Sequence, residues 1–166
     1  SSQPTDLDLK FQRLDSSSAT EKAKLFSAGR LSSFLTDWGI SMSQDLSEIY
    51  YTVSVKKKAF IIMIKWDKNK WTEPKIVSFS GMYKDYCPNL SQDGKKMIFL
   101  SRRPLSLNDK SKDTNLWCVE RKNLIWGKPY PLKNINSSDN ESFPFLNKSG
   151  NLYFSMKKGG KKGISR

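Results

Sequence analysis

The chain has 166 residues, with 29 Lys and Arg against 16 Asp and Glu for a formal charge of +13, and it contains no histidine. A hydrophobic fraction of 37%, with 12% aromatics, supplies enough apolar surface to bury and excludes a wholly disordered chain. Without histidine there is no Ser-His-Asp or Cys-His nucleophile and no His-ligated metal, and Cys87 and Cys118 lack a zinc-type spacing, so they read as two small buried thiols rather than as a bridge.

In chain order, the opening SSQPTDLDLK lacks the basic region and apolar stretch of an export leader. Residues 1–27 read as a tail or linker, with a short helix expected over Ser16 to Phe26, led by Ser18 or Thr20. The longest apolar run, Ala59 to Ile64, has the length of a strand and falls far short of the ~18 residues that cross a bilayer. No transmembrane segment is predicted.

From residue 28 onward the sequence repeats. Trp71 and Pro74 recur at Trp126 and Pro129, 55 residues on; Pro88 and Gly94 recur at Pro144 and Gly150, 56 on; Phe99 recurs at Phe154. A more degenerate copy precedes them, since DWGISMSQDLSEIYYT from Asp37 matches DYCPNLSQDGKKMIFL from Asp85 at an offset of 48. The units are placed at approximately 28–70, 71–125 and 126–166, each built from about four short strands.

Strands are expected at Ile49 to Thr52, Met97 to Leu100 and Leu152 to Phe154, each following a turn signal at Asp45-Leu46-Ser47, Asp93-Gly94 or Ser149-Gly150. Asp-Gly between two apolar runs predicts a type I′ hairpin. Ala59 to Trp71 aligns with Asn115 to Trp126 as a strand, a turn and a further strand, and Trp66-Asp67 is placed in that turn. A period near 50 residues with four antiparallel strands predicts an all-β chain of β-propeller blades, two to three in number.

The SxDGKxxxF pattern at Ser91 to Phe99, SRRP at Ser101 to Pro104, NLWxVER at Asn115 to Arg121, WGxP at Trp126 to Pro129 and NINSxxNExFP at Asn134 to Pro144 resemble the bacterial TolB-type, WD-repeat-like β-propeller family. The resemblance spans roughly residues 26 to 166. Two departures stand out. The first copy carries Gly39-Ile40 and Asp45-Leu46 in place of the proline-centred and glycine turns, which puts its turn geometry in question, and the last copy is expected to stop after its second strand at GGKKGISR.

Each copy places an acid three residues before its inner-strand marker: Asp37 before Ile40, Asp85 before Pro88, Glu141 before Pro144. With Arg102, Arg103, Lys157 and Lys158, which follow the second strand, these acids are the candidate binding residues, forming a polar ring at one mouth of a propeller. The favoured reading is structural: the acids cap backbone amides or bridge basic side chains. Trp66, Trp71, Trp117 and Trp126 track the repeat and are assigned to packing between sheets rather than to stacking on a ligand. The loop Pro104 to Thr114 carries Asp109 and Asp113, whose spacing fits no EF-hand, and reads as a solvated insertion.

These features point to a non-catalytic scaffold that binds a protein partner. The resemblance implies a larger exported bacterial protein, periplasmic or associated with the outer membrane. The competing expectation is the propeller domain of a hydrolase, a peptidase or glycan-processing enzyme, whose catalytic groups lie outside this chain. No cofactor or metal is implied. The lysines sit in twos and threes at expected turns, among them Lys56 to Lys58, so the charge reads as a solvated basic surface before it reads as a nucleic-acid site; a polyanion or glycan ligand stays open.

Overall fold

The computed structural model describes residues 36–158 and 161–166. The helix expected over Ser16 to Phe26 lies outside them. The described residues form thirteen antiparallel strands in three successive sheets, with no helix among them.

The first sheet consists of β1 (Thr36–Met42), β2 (Glu48–Val55), β3 (Lys58–Asp67), β4 (Lys70–Trp71) and β5 (Lys75–Ile76), with β4 and β5 both pairing with β3. The second repeats the order with β6 (Asp85–Leu90), β7 (Lys96–Ser101), β8 (Asn115–Lys122), β9 (Ile125–Trp126) and β10 (Tyr130–Pro131). Where four strands per unit are expected, the fourth is thus split in two. Pro74 and Pro129 stand at the two breaks, where a residue without an amide proton cannot continue the ladder.

The third sheet contains β11 (Ser142–Leu146), β12 (Leu152–Lys158) and β13 (Lys161–Ser165). The last copy therefore does not stop after its second strand: Lys157 pairs with Lys162 and Ser155 with Ile164, so the basic GGKKGISR segment supplies a third. Its charges stay in water because this strand is exposed along nearly its whole length.

The degenerate first copy keeps the geometry of the others. Gly39, Cys87 and Phe143 occupy one repeat position and all have positive φ, at 60°, 51° and 50°, each at the bulge that interrupts the inner-strand pairing. Leu46, Gly94 and Gly150 likewise share a left-handed position, and their amides donate to Ser43, Ser91 and Asn147 carbonyls at 3.0, 2.9 and 3.0 Å. The turn at Asp93-Gly94 is not type I′, because of its two residues only Gly94 has positive φ; the Ser91 hydroxyl donating to Asp93 at 2.6 Å and the Lys95 amide donating to Asp93 at 3.0 Å favour a wider loop. Type I′ geometry falls instead at Lys68-Asn69 and Asn123-Leu124, where both residues have positive φ between paired strand ends. Trp66-Asp67 accordingly ends β3 rather than lying in the turn.

Alternation along the strands divides the core. Tyr50, Ile61 and Val77 of the first sheet unit pack with Leu90, Met97, Phe99, Trp117 and Val119 of the second. The intervening positions Ile98, Leu100 and Leu116 face the other way and meet Phe154, Leu146, Leu152 and Met156 of the third sheet. Met97, Phe99, Leu116 and Val119 are fully buried, each side chain of this kind contributing about 1.5–3 kcal/mol of transfer free energy. Trp117 and Trp71 are buried and Trp126 sets its edge against Tyr50 and Phe79, so these tryptophans lie in packing positions.

Polar stitches join the sheets at a repeated position. The Ser41 hydroxyl accepts from the Leu90 amide at 2.9 Å, and Asn89, the same position one unit later, accepts from the Leu146 amide at 2.9 Å. Gly39 lies so close to Cys87 that an added Cβ would stand 3.1 Å from its Cα, and the Cys87 amide donates to the Thr52 hydroxyl beside it at 3.0 Å.

Candidate functional site

The candidate residues converge only in part, at the end of the second sheet where β6 begins and β7 finishes. Asp85 and Ser101 are register partners there, which places the serine hydroxyl against the carboxylate, and it donates to Asp85 Oδ1 at 2.6 Å. Arg103 Nη2 reaches the same oxygen at 2.7 Å, and Ser80 donates to Oδ2 at 2.9 Å. Asp85 has no exposed surface and Arg103 only 8%. The pair is held dry by the rings of Tyr83, Phe99 and Trp117, each with its centroid 5.1 to 5.5 Å from the guanidinium.

Both oxygens of Asp85 are occupied, so this carboxylate ties its own sheet together and, through Ser80, whose hydroxyl accepts from the Ile61 amide at 3.1 Å, fastens it to the first. Ser80 and Ser101 were not among the sequence-level candidates. Their role becomes visible only once strand register is known, because isolated serines carry no pattern.

Glu141 immediately precedes β11 and is 1% exposed. Its Oε1 accepts from the Ser137 amide at 3.1 Å and hydroxyl at 2.6 Å, while its own amide donates to the Thr114 carbonyl at 2.9 Å. Burial pushes its carboxyl above the usual range, and the nearby Asp113 charge acts in the same direction. Its Oε2 has no hydrogen-bond partner among the described residues.

Asp37 pairs with Val53 and Lys158 with Lys161 through the backbone; their side chains lie outside the described residues. Lys157 is exposed on β12. Arg102 points away from its neighbour Arg103: it is exposed, and its amide is anchored to the Lys84 carbonyl at 3.0 Å.

Arg102 instead lines a groove of about 280 Å³ between the first and second sheets, with Lys56, Lys57, Lys58, Lys84, Trp38 and Tyr86. Lys56 and Lys57 form the tight turn between β2 and β3, Lys56 having a φ of 54°. Trp38 stands 40% exposed, its ring 5.2 Å from that of Tyr86 and its Nε1 donating to the Ser54 hydroxyl at 3.1 Å. Lys84, Trp38 and Tyr86 are further residues that sequence reasoning passed over, since they belong to two repeats and meet only when the sheets pack.

A second buried ion pair crosses between sheets. Arg121 Nη1 meets Glu48 Oε2 at 2.8 Å, the Tyr50 hydroxyl donates to the same oxygen at 3.1 Å, and the guanidinium lies over Trp126. Burial and the Glu48 charge push the Tyr50 phenol up, keeping it a neutral donor. Cys87 and Cys118 are both free thiols, and burial raises both, Cys87 to about 11. Asp109 is occupied with the Leu105 and Ser111 amides at 2.7 and 2.8 Å.

No protein-family model and no curated relative matches this chain. Among solved structures, the crystal structure of TolB from Acinetobacter baumannii matches with a TM-score of 0.55 at 16% sequence identity, over 76% of this chain. The chain spans 28% of the length of that protein. The likeness is one of fold, and it identifies the three antiparallel sheets as an arrangement similar to part of TolB, a β-propeller protein.

Proposed function

We propose that the three sheets are blades of a larger β-propeller and that the chain works as a non-catalytic scaffold holding another protein, within an exported bacterial protein of the periplasm or outer membrane. One observation carries the reading. Ser41 and Asn89 each hydrogen-bond to the main chain of the following sheet, and at the equivalent place the third sheet has Phe145, 57% exposed.

Register puts more apolar surface beside it. Phe145 pairs with Tyr153, and Ser155, two residues on, pairs with Ile164. These side chains share the face opposite Phe154, which meets the second sheet. Ile164 is 82% exposed and Phe143, at the bulge, 76%. Exposed aromatic and aliphatic groups grouped on one sheet face are characteristic of a surface that meets a partner.

A photo-crosslinking amino acid at position 145 or 164, introduced into the full polypeptide in its bacterial cell, tests this. Adducts to a following blade of the same polypeptide are expected; adducts to another protein instead would give this face to the partner and remove the larger propeller, and no adduct at either position would sink both.

A further inference from the structure

The basic groove between the first two sheets is not used by that reading. We propose that it binds an anionic saccharide, with a sugar ring against Trp38 and the phosphate, sulfate or carboxylate groups of the ligand among Lys56, Lys57, Lys58, Lys84 and Arg102.

The charge arrangement is the first support. Five cations line one recess, and no described carboxylate lines it with them. Asp85, next to Lys84 in sequence, is turned inward and consumed by Arg103, Ser101 and Ser80. Like charges gathered in this way repel one another, and an anion settling among them relieves that repulsion while gaining charge-assisted hydrogen bonds. Lys96, by contrast, has its charge balanced by Glu120 at 3.0 Å on the second sheet.

Rigidity is the second. The indole of Trp38 is held at its nitrogen by Ser54 and along its ring by Tyr86, whose hydroxyl is itself hydrogen-bonded to the Thr114 hydroxyl at 2.6 Å. Arg102 and Lys84 are tied backbone to backbone. The aromatic wall therefore needs little ordering when a ligand arrives, and the backbone that carries two of the cations is fixed.

The aromatic content selects the ligand class. Single-stranded nucleic acid is held by successive aromatic faces, one per base. Here a single indole is available, because Tyr86 is half-buried behind it. One apolar platform rimmed by cations matches a sugar ring carrying anionic substituents.

Titration calorimetry on the 166-residue chain with a heparin-derived oligosaccharide, at several salt concentrations, is the test. A neutral maltooligosaccharide, inorganic phosphate and an oligothymidylate serve as comparison ligands. Binding of the heparin fragment that weakens with salt is expected, with no binding of the neutral sugar. Lys57→Glu and Arg102→Glu should each lower affinity about tenfold, the effect of losing one charge-assisted contact. Trp38→Ala should weaken binding while leaving the salt dependence unchanged.

Lys148→Glu and Lys162→Glu, both exposed on the third unit, change net charge equally and should leave affinity nearly unchanged. Thermal melts of all variants check folding; the two charge reversals in the groove replace exposed side chains. The proposal is overturned if the third-unit variants cost as much as those in the groove, or if the oligothymidylate binds as tightly through the same residues. It is equally overturned if inorganic phosphate matches the oligosaccharide, or if nothing binds.

Discussion

Asn89 holds the backbone of Leu146 across the gap between the second and third sheets: its Oδ1 accepts the Leu146 amide proton at 2.9 Å, and its Nδ2 donates to the neighbouring Pro144 carbonyl at 3.0 Å. One side chain thus satisfies two main-chain groups of another sheet. Asn89→Ala should cost about 2–3 kcal/mol, from two lost hydrogen bonds with the backbone groups left unpaired. Urea unfolding of the variant would measure it.

Asp85 and Arg103 are buried together, so removing one strands the other. Asp85→Ala should lower stability by about 3–5 kcal/mol, the range for an orphaned buried charge. Exposed pairs such as Lys96 with Glu120 contribute little, and Glu120→Ala should stay within about 1 kcal/mol of wild type. A chemical-denaturation series of both variants separates the two cases. Near equality would show that Asp85 is not structural.

Glu141 ionises against its surroundings. Its folded pKa is raised above the ordinary value of 4.5, so the native state holds its proton more tightly than the unfolded chain does. Stability on this account is full below the unfolded value and declines as pH rises through the folded one. Glu141→Gln removes the decline. The variant should melt higher than wild type at pH 7 and show no such gain near pH 3, an outcome that calorimetry at both pH values would decide.

Leu124 is 65% exposed at the second position of a type I′ turn, with a φ of 65°. A branched side chain there pays the left-handed penalty without burying much surface in return. Leu124→Gly should raise stability by about 1 kcal/mol. Gly94→Ala, the reverse change, puts a Cβ 2.8 Å from Arg121 Nη2 at a φ of 66° and should lower it, disturbing the Glu48 ion pair as well. Paired thermal melts would reveal whether the two shifts have opposite signs.

The fold was legible wherever a repeat left a spaced residue. The Trp71 and Trp126, Pro88 and Pro144, and Gly94 and Gly150 pairs mark the same structural positions in successive units, and alternating apolar residues on β7 and β8 separate the two cores as their period requires. What failed were details set by context. The Asp93-Gly94 turn widened because Ser91 and Lys95 bond to Asp93. A third strand formed in the final unit because pairing with β12 needs backbone groups rather than apolar side chains. The candidate site was less readable still. Asp85 and Arg103 stood out by type, but their mutual burial depends on Ser80, Ser101 and the Phe99 and Trp117 rings, which only register and packing bring together.

The stitches at Ser41 and Asn89 reach one sheet onward and no further. An assembly fastened in this way opens like a row of tiles, each loosened by the loss of its neighbour. Amide protons of β7 and β8, roofed from both sides, should consequently exchange most slowly, and those of β13, facing water along its length, should be the earliest to go.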